Sequence, residues 1–195
     1  QHEDVPAILE RCAAQAPKLA AALEKAFNPS LLLKVLRTLL QEGVSLKDVV
    51  PLATTLLENA EITKDPILLA AEARLTLRRQ IVAQACGQVG EVKAFSLGNQ
   101  LEDLLMRALS QATQTGKAAL DNFPIEPNLL TQLQSHLPLA REQMKQMAAA
   151  PVLMVLPQLR PVMARYARLF APGLHVFSYN EMPDGRSVVV VGSIG

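Results

Sequence analysis

Few side chains in this sequence have the type and spacing for chemistry, and each of them has a plainer reading. Cys12 and Cys86 lie far apart with no further cysteine, so they read as buried free thiols in a reducing compartment rather than a disulfide framework. His2, His136 and His175 stand apart from one another and from both cysteines, so none has metal-ligand spacing; each is expected to be structural or solvent-facing. Glu102 and Asp103 are adjacent carboxylates, but they fall near a helix start, where acidic side chains complement the helix dipole. Asp184-Gly185 is what a tight turn requires. Gly87 and Gly90 in GQVG precede a strand, the reverse of the order that a phosphate-binding turn needs. Neither a Walker A loop nor a G-x-S-x-G elbow occurs. Arg74, Arg78 and Arg79 form a basic helical face, read as a solvated face with local partners such as Glu72; an acidic protein surface is its expected ligand. No cofactor and no metal are expected, and nothing in the residues supports an enzyme.

Composition narrows the classes further. The chain has 195 residues, room for one large domain or two small ones, and half of it is apolar. Nineteen basic residues stand against 18 acidic ones, a balance that gives no electrostatic footprint for nucleic acid. Trp is absent and aromatics are scarce, so base-stacking platforms are not expected. No apolar run reaches the ~18–20 residues that a spanning helix requires. The first residue is Gln rather than Met, which reads as a fragment of something longer.

The elements that must carry these residues change character near residue 87. Before it, VPAILERCAAQ (5–15) and PKLAAALEKA (17–26) are amphipathic helices parted at Pro17. The next helix starts at a cap near Asn28 and Pro29 and stops at Gly43, with Leu32, Val35, Leu36, Leu39 and Leu40 on one face. Pro51 cannot sit deep in a helix, so Asp48 is the expected N-cap of a helix running to about Glu61. Asp65-Pro66 repeats the device, and that helix continues to about residue 86, where Gly87 stops it. Beyond it, strands are expected at 91–97, 152–156, 174–179 and 187–194, the last of them β-branched and buried in character. Helices are expected at 99–113, 126–149 and 158–170, with Pro138 bending or dividing the second and a loop from Thr113 to Pro127. The Pro183-Asp184-Gly185 turn suggests that the last two strands form a hairpin. The fold class is therefore α+β: an all-α subdomain over 1–87, then an α/β subdomain over 88–195 with a small mixed sheet.

The run LLKVLRTLLQEGVSLKDVVPLATTLLENAEITKDPILLAAEARLTLRRQI resembles the flagellar and type III secretion export-gate family (FlhA/LcrD/InvA), its flagellar branch above all. The family's K-V-L-x-x-L-L-x-E-x-V-S-I-R-D, T-K-D-P and R-x-x-L-x-R-x-I segments occur in the same order. The stretch APVLMVLPQLRPVMARYARLFAPGLHVFSYNEMPDGRSVVVVGSIG is similar to its carboxy-terminal region. The resemblance covers nearly the whole chain. It implies an amino-terminal membrane part followed by four cytoplasmic subdomains, of which these would be the third (1–87) and fourth (88–195). It further implies a nine-membered ring on the cytoplasmic side of the bacterial inner membrane, with the third subdomain supplying much of the ring contact. That ring would be a docking platform for export chaperone–cargo complexes, the export ATPase complex and other gate components, with no nucleic acid and no membrane contact from this part. The family's polar contact before the K-V-L helix falls at about Asn28. Here Phe27, Asn28 and Pro29 replace a small, hydroxyl-rich run, and these three with Arg74, Arg78 and Arg79 are the candidate protein-binding residues.

Other classes make different demands. The same part of a virulence secretion system would share the fold and the partners' chemistry. A small α/β enzyme would need a pocket with convergent titratable groups. A helical nucleic-acid regulator would bind duplex DNA in a salt-dependent way.

Overall fold

The computed structural model describes residues 5–116 and 119–195, so His2 lies outside the described chain. Two compact units divide between Ile81 and Val82, inside a helix spanning Arg78–Cys86. The change from helix to strand at Gly87 and the packing boundary are therefore different features of the chain.

Among the described residues the elements of the first unit are all helices: α1 Val5–Gln15, α2 Pro17–Ala26, α3 Pro29–Gln41, α4 Val49–Asn59, α5 Pro66–Thr76 and the start of α6 Arg78–Cys86. Its core is built from the apolar faces of these helices, with Ile8, Leu36, Leu39, Leu52, Leu56 and Leu69 fully buried; each contributes roughly 1.5–3 kcal/mol over leaving it in water. Helix starts follow the expected chemistry. Asn28 Oδ1 accepts from the Ser30 N–H at 2.8 Å and Asp65 Oδ1 from the Ile67 N–H at 2.9 Å, each with a proline next in the chain. Asp48 stands at the start of α4, as Pro51 required, but its side chain makes no cap bond. Gly43 ends the third helix's turn at φ 73°, a left-handed conformation that glycine adopts without strain. The long helix expected from Pro66 to residue 86 is broken at Leu77 (φ −95°, ψ 10°), leaving α5 and α6 as separate helices.

The second unit holds β1 Glu91–Leu97, α7 Asn99–Thr115, α8 Pro127–Gln146, β2 Val152–Val155, α9 Arg160–Phe170, β3 His175–Ser178 and β4 Ser187–Ile194. The strand order is β3-β2-β1-β4 and every pairing is parallel. The hairpin expected around Pro183-Asp184-Gly185, and with it a mixed sheet, is therefore corrected. β3 and β4 sit at opposite edges, and residues between Ser178 and Ser187 carry the chain from the end of one to the start of the other. The turn chemistry is real, with Gly185 at φ 87° and the Arg186 N–H donating to Pro183 O at 3.3 Å, but it serves a crossover. The buried character expected of β4 is also corrected: Val189 is 38% and Val190 53% exposed, because the strand has a neighbour on one side only. Pro138 does not divide α8, which runs as one element through it; Leu133, Leu137, Ala140 and Met144 bury the inner face on both sides of the proline. Its lost N–H bond is offset by that burial.

Candidate functional site

Two turns of the first unit come together at one surface. Phe27, just past α2, is buried with extended backbone, and its N–H donates to Leu23 O at 3.0 Å. Lys64, in the turn between α4 and α5, holds its ammonium 4.8 Å from the centre of the Phe27 ring. The same ammonium donates to Ala26 O at 3.2 Å, so one side chain fastens the second turn to the first by a cation–π contact and a hydrogen bond. Within the second turn, Thr63 Oγ1 accepts from the Asp65 N–H at 3.0 Å before Asp65 caps α5. Asn28 and Pro29 are exposed beside Phe27. On this braced surface Ile62 is 77% exposed and Leu68 44%, the former the most exposed large apolar side chain among the described residues. Isolated exposed apolar residues are ordinary. Here two of them flank a turn held by hydrogen bonds, which leaves that surface with little conformational freedom.

The arginines do not share a face. Arg74 is buried, with its Nη1 3.2 Å from Glu42 Oε2 at the end of α3, and the two side chains are only 4% and 9% exposed. It thus forms an ion pair with Glu42, 32 residues away in the chain. Arg78 donates to Leu75 O at 2.9 Å, and Arg79 is exposed. The structure joins Phe27 to the turn that holds Ile62 through Lys64, a link that spacing alone does not reveal.

The second unit has a matching buried pair. The Arg160 guanidinium, at the start of α9, donates to Val176 O at 3.0 Å and lies 3.4 Å from Glu181 Oε1. Glu181 accepts in turn from the Ser178 N–H at 3.0 Å, and Ser178 and Asn180 side chains are hydrogen-bonded. Ser178 and Glu181 form a capping box, legible in the sequence as S-x-x-E. These groups lock the end of β3 to α9, which is structural work.

The remaining reactive types are dispersed. Burial pushes the Cys12 thiol up, and it pushes Cys86 up as well, against the pull of the Arg186 charge. Both cysteines are free. Tyr179 is raised by burial first and then by the Glu102 carboxylate. His136 has a buried Nδ1 without a partner among the described residues, and the His175 ring stacks on Phe177. Among the described residues no three of His, Cys, Asp and Glu gather in a metal-binding group, and no helix is long and apolar enough to cross a membrane. A cavity of about 800 Å³ beside α7 is lined by alanines, Gln111, Thr115, Asn122, Phe123 and Pro124. Among the described residues its lining offers amides, a hydroxyl and apolar groups and no titratable side chain.

LfhA of Escherichia coli, described as a putative flagellar export/assembly protein, is 50% identical over 193 residues, covering 99% of this chain and 28% of the relative. The flagellar biosynthesis protein FlhA of Escherichia coli is 34% identical over 194 residues, covering 99% of this chain and 27% of its own. The chain thus spans little more than a quarter of these relatives. The nonameric SctV-C of EPEC has the same fold, with a TM-score of 0.80 at 19% identity over 96% of this chain and 55% of that one. CdsV of Chlamydia pneumoniae, solved in complex with CdsO, gives 0.80 at 20% identity over 98% and 54%. The FHIPEP family model matches residues 1–187, and the chain belongs to the FHIPEP family.

Proposed function

We propose that this chain is a non-catalytic docking and ring-forming part of a flagellar protein export gate, on the cytoplasmic side of the bacterial inner membrane. It assembles with further copies of itself and helps recruit chaperone–cargo complexes, the export ATPase complex and other gate components for secretion. The reading is supported by relatives whose names describe flagellar export and biosynthesis, and by a fold neighbour that is a nonamer. The observation that carries it is the braced corner of the first unit, where Lys64 ties Phe27 to the turn displaying Ile62 and Leu68. We assign the exposed apolar side chains of that corner, Ile62 and Leu68, to contact between copies. Residues 1–87 act as the third cytoplasmic subdomain and 88–195 as the fourth. Chaperone–cargo complexes dock in a groove that this chain completes with residues upstream of it, near Asn28.

The test is capture of flagellar chaperone–cargo complexes by a longer chain that continues upstream through the other cytoplasmic subdomains. Capture by that chain, weaker capture by these 195 residues and loss on Asn28→Arg are the expected results. A longer chain that captures none would overturn the docking role.

A further inference from the structure

Glu102 and Tyr179 stand at one end of the sheet in the second unit. Every pairing in that sheet is parallel, so its strands all finish on the same side. Tyr179 is the residue directly after β3, and Glu102 lies in the first turn of α7, which only Gly98 separates from β1. β2 runs between those two strands, which sets β1 and β3 about 10 Å apart. A tyrosine and a glutamate side chain together bridge such a gap. Burial first, and then the Glu102 charge, push the Tyr179 phenol up, so the carboxylate and the phenol feel each other.

Both groups are carried by fixed backbone. The Ser178 N–H bond to Glu181, the Ser178–Asn180 side-chain bond and the Arg160–Glu181 ion pair lock the turn on either side of Tyr179. At the start of α7 the Gly98 N–H donates to Ile194 O at 2.7 Å, and a Cβ on Gly98 would stand 2.6 Å from Gly195 O, so glycine lets the helix begin hard against the end of β4. The groups themselves are unoccupied. Among the described residues the Glu102 carboxylate and the Tyr179 hydroxyl make no hydrogen bond or ion pair, and the Tyr179 ring, 45% exposed, stacks on no other ring and lies under no cation. Arg160, at the same end of the sheet, is buried and already held by Glu181 and the Val176 carbonyl.

We infer that Glu102 and Tyr179 form a seat for an arginine side chain of a partner protein, its guanidinium stacked on the Tyr179 ring and hydrogen-bonded to the Glu102 carboxylate. A half-buried carboxylate without an internal cation selects positive charge, and an aromatic face beside it attracts the same charge. Guanidinium suits both groups at once, because it is planar enough to stack while its fork of N–H donors reaches a carboxylate. Lysine offers a point charge without that plane. Quaternary ammonium groups are held in cages of several aromatic rings, and aromatics are scarce in this chain. A divalent cation takes several oxygen ligands, and among the described residues no three of His, Cys, Asp and Glu gather. The proposed contact between copies lies at the Ile62 corner of the first unit, and on that reading the arginine belongs to a different protein. One ion pair over one ring is a weak contact, which adds specificity to a larger docking surface.

The experiment is a nuclear magnetic resonance titration of the 195-residue chain carrying ring-labelled tyrosine, which has only Tyr166 and Tyr179 to report. The probe is the end-blocked tripeptide Gly-Arg-Gly at about 1–20 mM, compared with Gly-Lys-Gly and Gly-citrulline-Gly. The arginine peptide is expected to shift the Tyr179 signal saturably and to leave Tyr166, buried and stacked on Phe170, in place. The lysine peptide should bind at least about threefold more weakly, and the uncharged citrulline peptide should leave both signals unmoved. Glu102→Gln should weaken arginine binding at least about threefold with the circular dichroism spectrum unchanged. Tyr179→Phe, followed through the Asn180 amide, should keep it, because the ring and not the hydroxyl does the stacking. A Tyr179 signal indifferent to the arginine peptide overturns the inference, as does one that moves equally with the citrulline peptide or in Glu102→Gln. So does sedimentation equilibrium in which Glu102→Gln alters self-association, since the arginine would then belong to a second copy. Peptide binding is read on the single chain, so it stands or falls apart from any contact at the Ile62 corner.

Discussion

The two buried ion pairs make the sharpest statements at the scale of single residues. Arg74 and Glu42 are shut away from water, so their charges depend on each other. Arg74→Met is expected to lower stability by about 3–5 kcal/mol, because it strips a buried carboxylate of its guanidinium. The double variant Arg74→Met/Glu42→Leu should recover most of that loss, which urea unfolding of both variants checks. The thiols add a pH dependence of definite sign. Burial raises Cys12 and Cys86, so the folded chain keeps their protons to higher pH than the unfolded chain does. Their contribution is present in full below the unfolded value of about 8.5 and is lost as pH rises through the folded one. Urea midpoints should therefore fall from pH 8.5 upward, and less so in Cys12→Ala. The sequence disclosed Arg74 as a basic residue on a helix, but its partner Glu42 lies on a different helix. Helical spacing cannot reveal such a pairing.

At the scale of elements, the caps divide into two kinds that sequence alone treats alike. Asp48 and Asp65 both precede a helix near a proline, yet only Asp65 bonds a backbone N–H. Asp65→Ala should cost about 1 kcal/mol, as should Asn28→Ala, while Asp48→Ala should stay within about 0.5 kcal/mol. Thermal or urea melts of the three variants would distinguish them. Helices up to Thr76 were legible because their apolar periodicity and their capping residues agree. The break at Leu77 was not, since nothing in LTLRRQ marks a stop. β1 and β3 were legible by alternation, β2 by a continuous apolar run and β4 by its valines, but their partners were not. Pro183-Asp184-Gly185 has the composition of a hairpin turn, and only the placement of β3 and β4 at opposite edges shows it to be a crossover. The exposure of β4 was hidden for the same reason, because a run of valines looks the same at the centre of a sheet and at its edge.

At the scale of the whole molecule, the proposed role in assembly rests on surfaces rather than on a cleft. Of the candidate protein-binding residues, Phe27, Asn28 and Pro29 lie at the braced corner, whereas Arg74, Arg78 and Arg79 go three separate ways. Ile62 was hidden in plain view within ITKDP: the sequence shows an isoleucine, and only the fold shows that it faces water. The chain alone is expected to form ring contacts weakly, since such contacts gain from tethering and effective concentration. The most direct measurement is therefore the mass distribution, by mass photometry, of a longer chain carrying all the cytoplasmic subdomains, with and without Ile62→Asp. A ring-sized species is expected for the wild type and its loss in the variant, with the melting temperature unchanged. A ring that forms equally well with aspartate at position 62 would contradict the assignment of this corner to contact between copies.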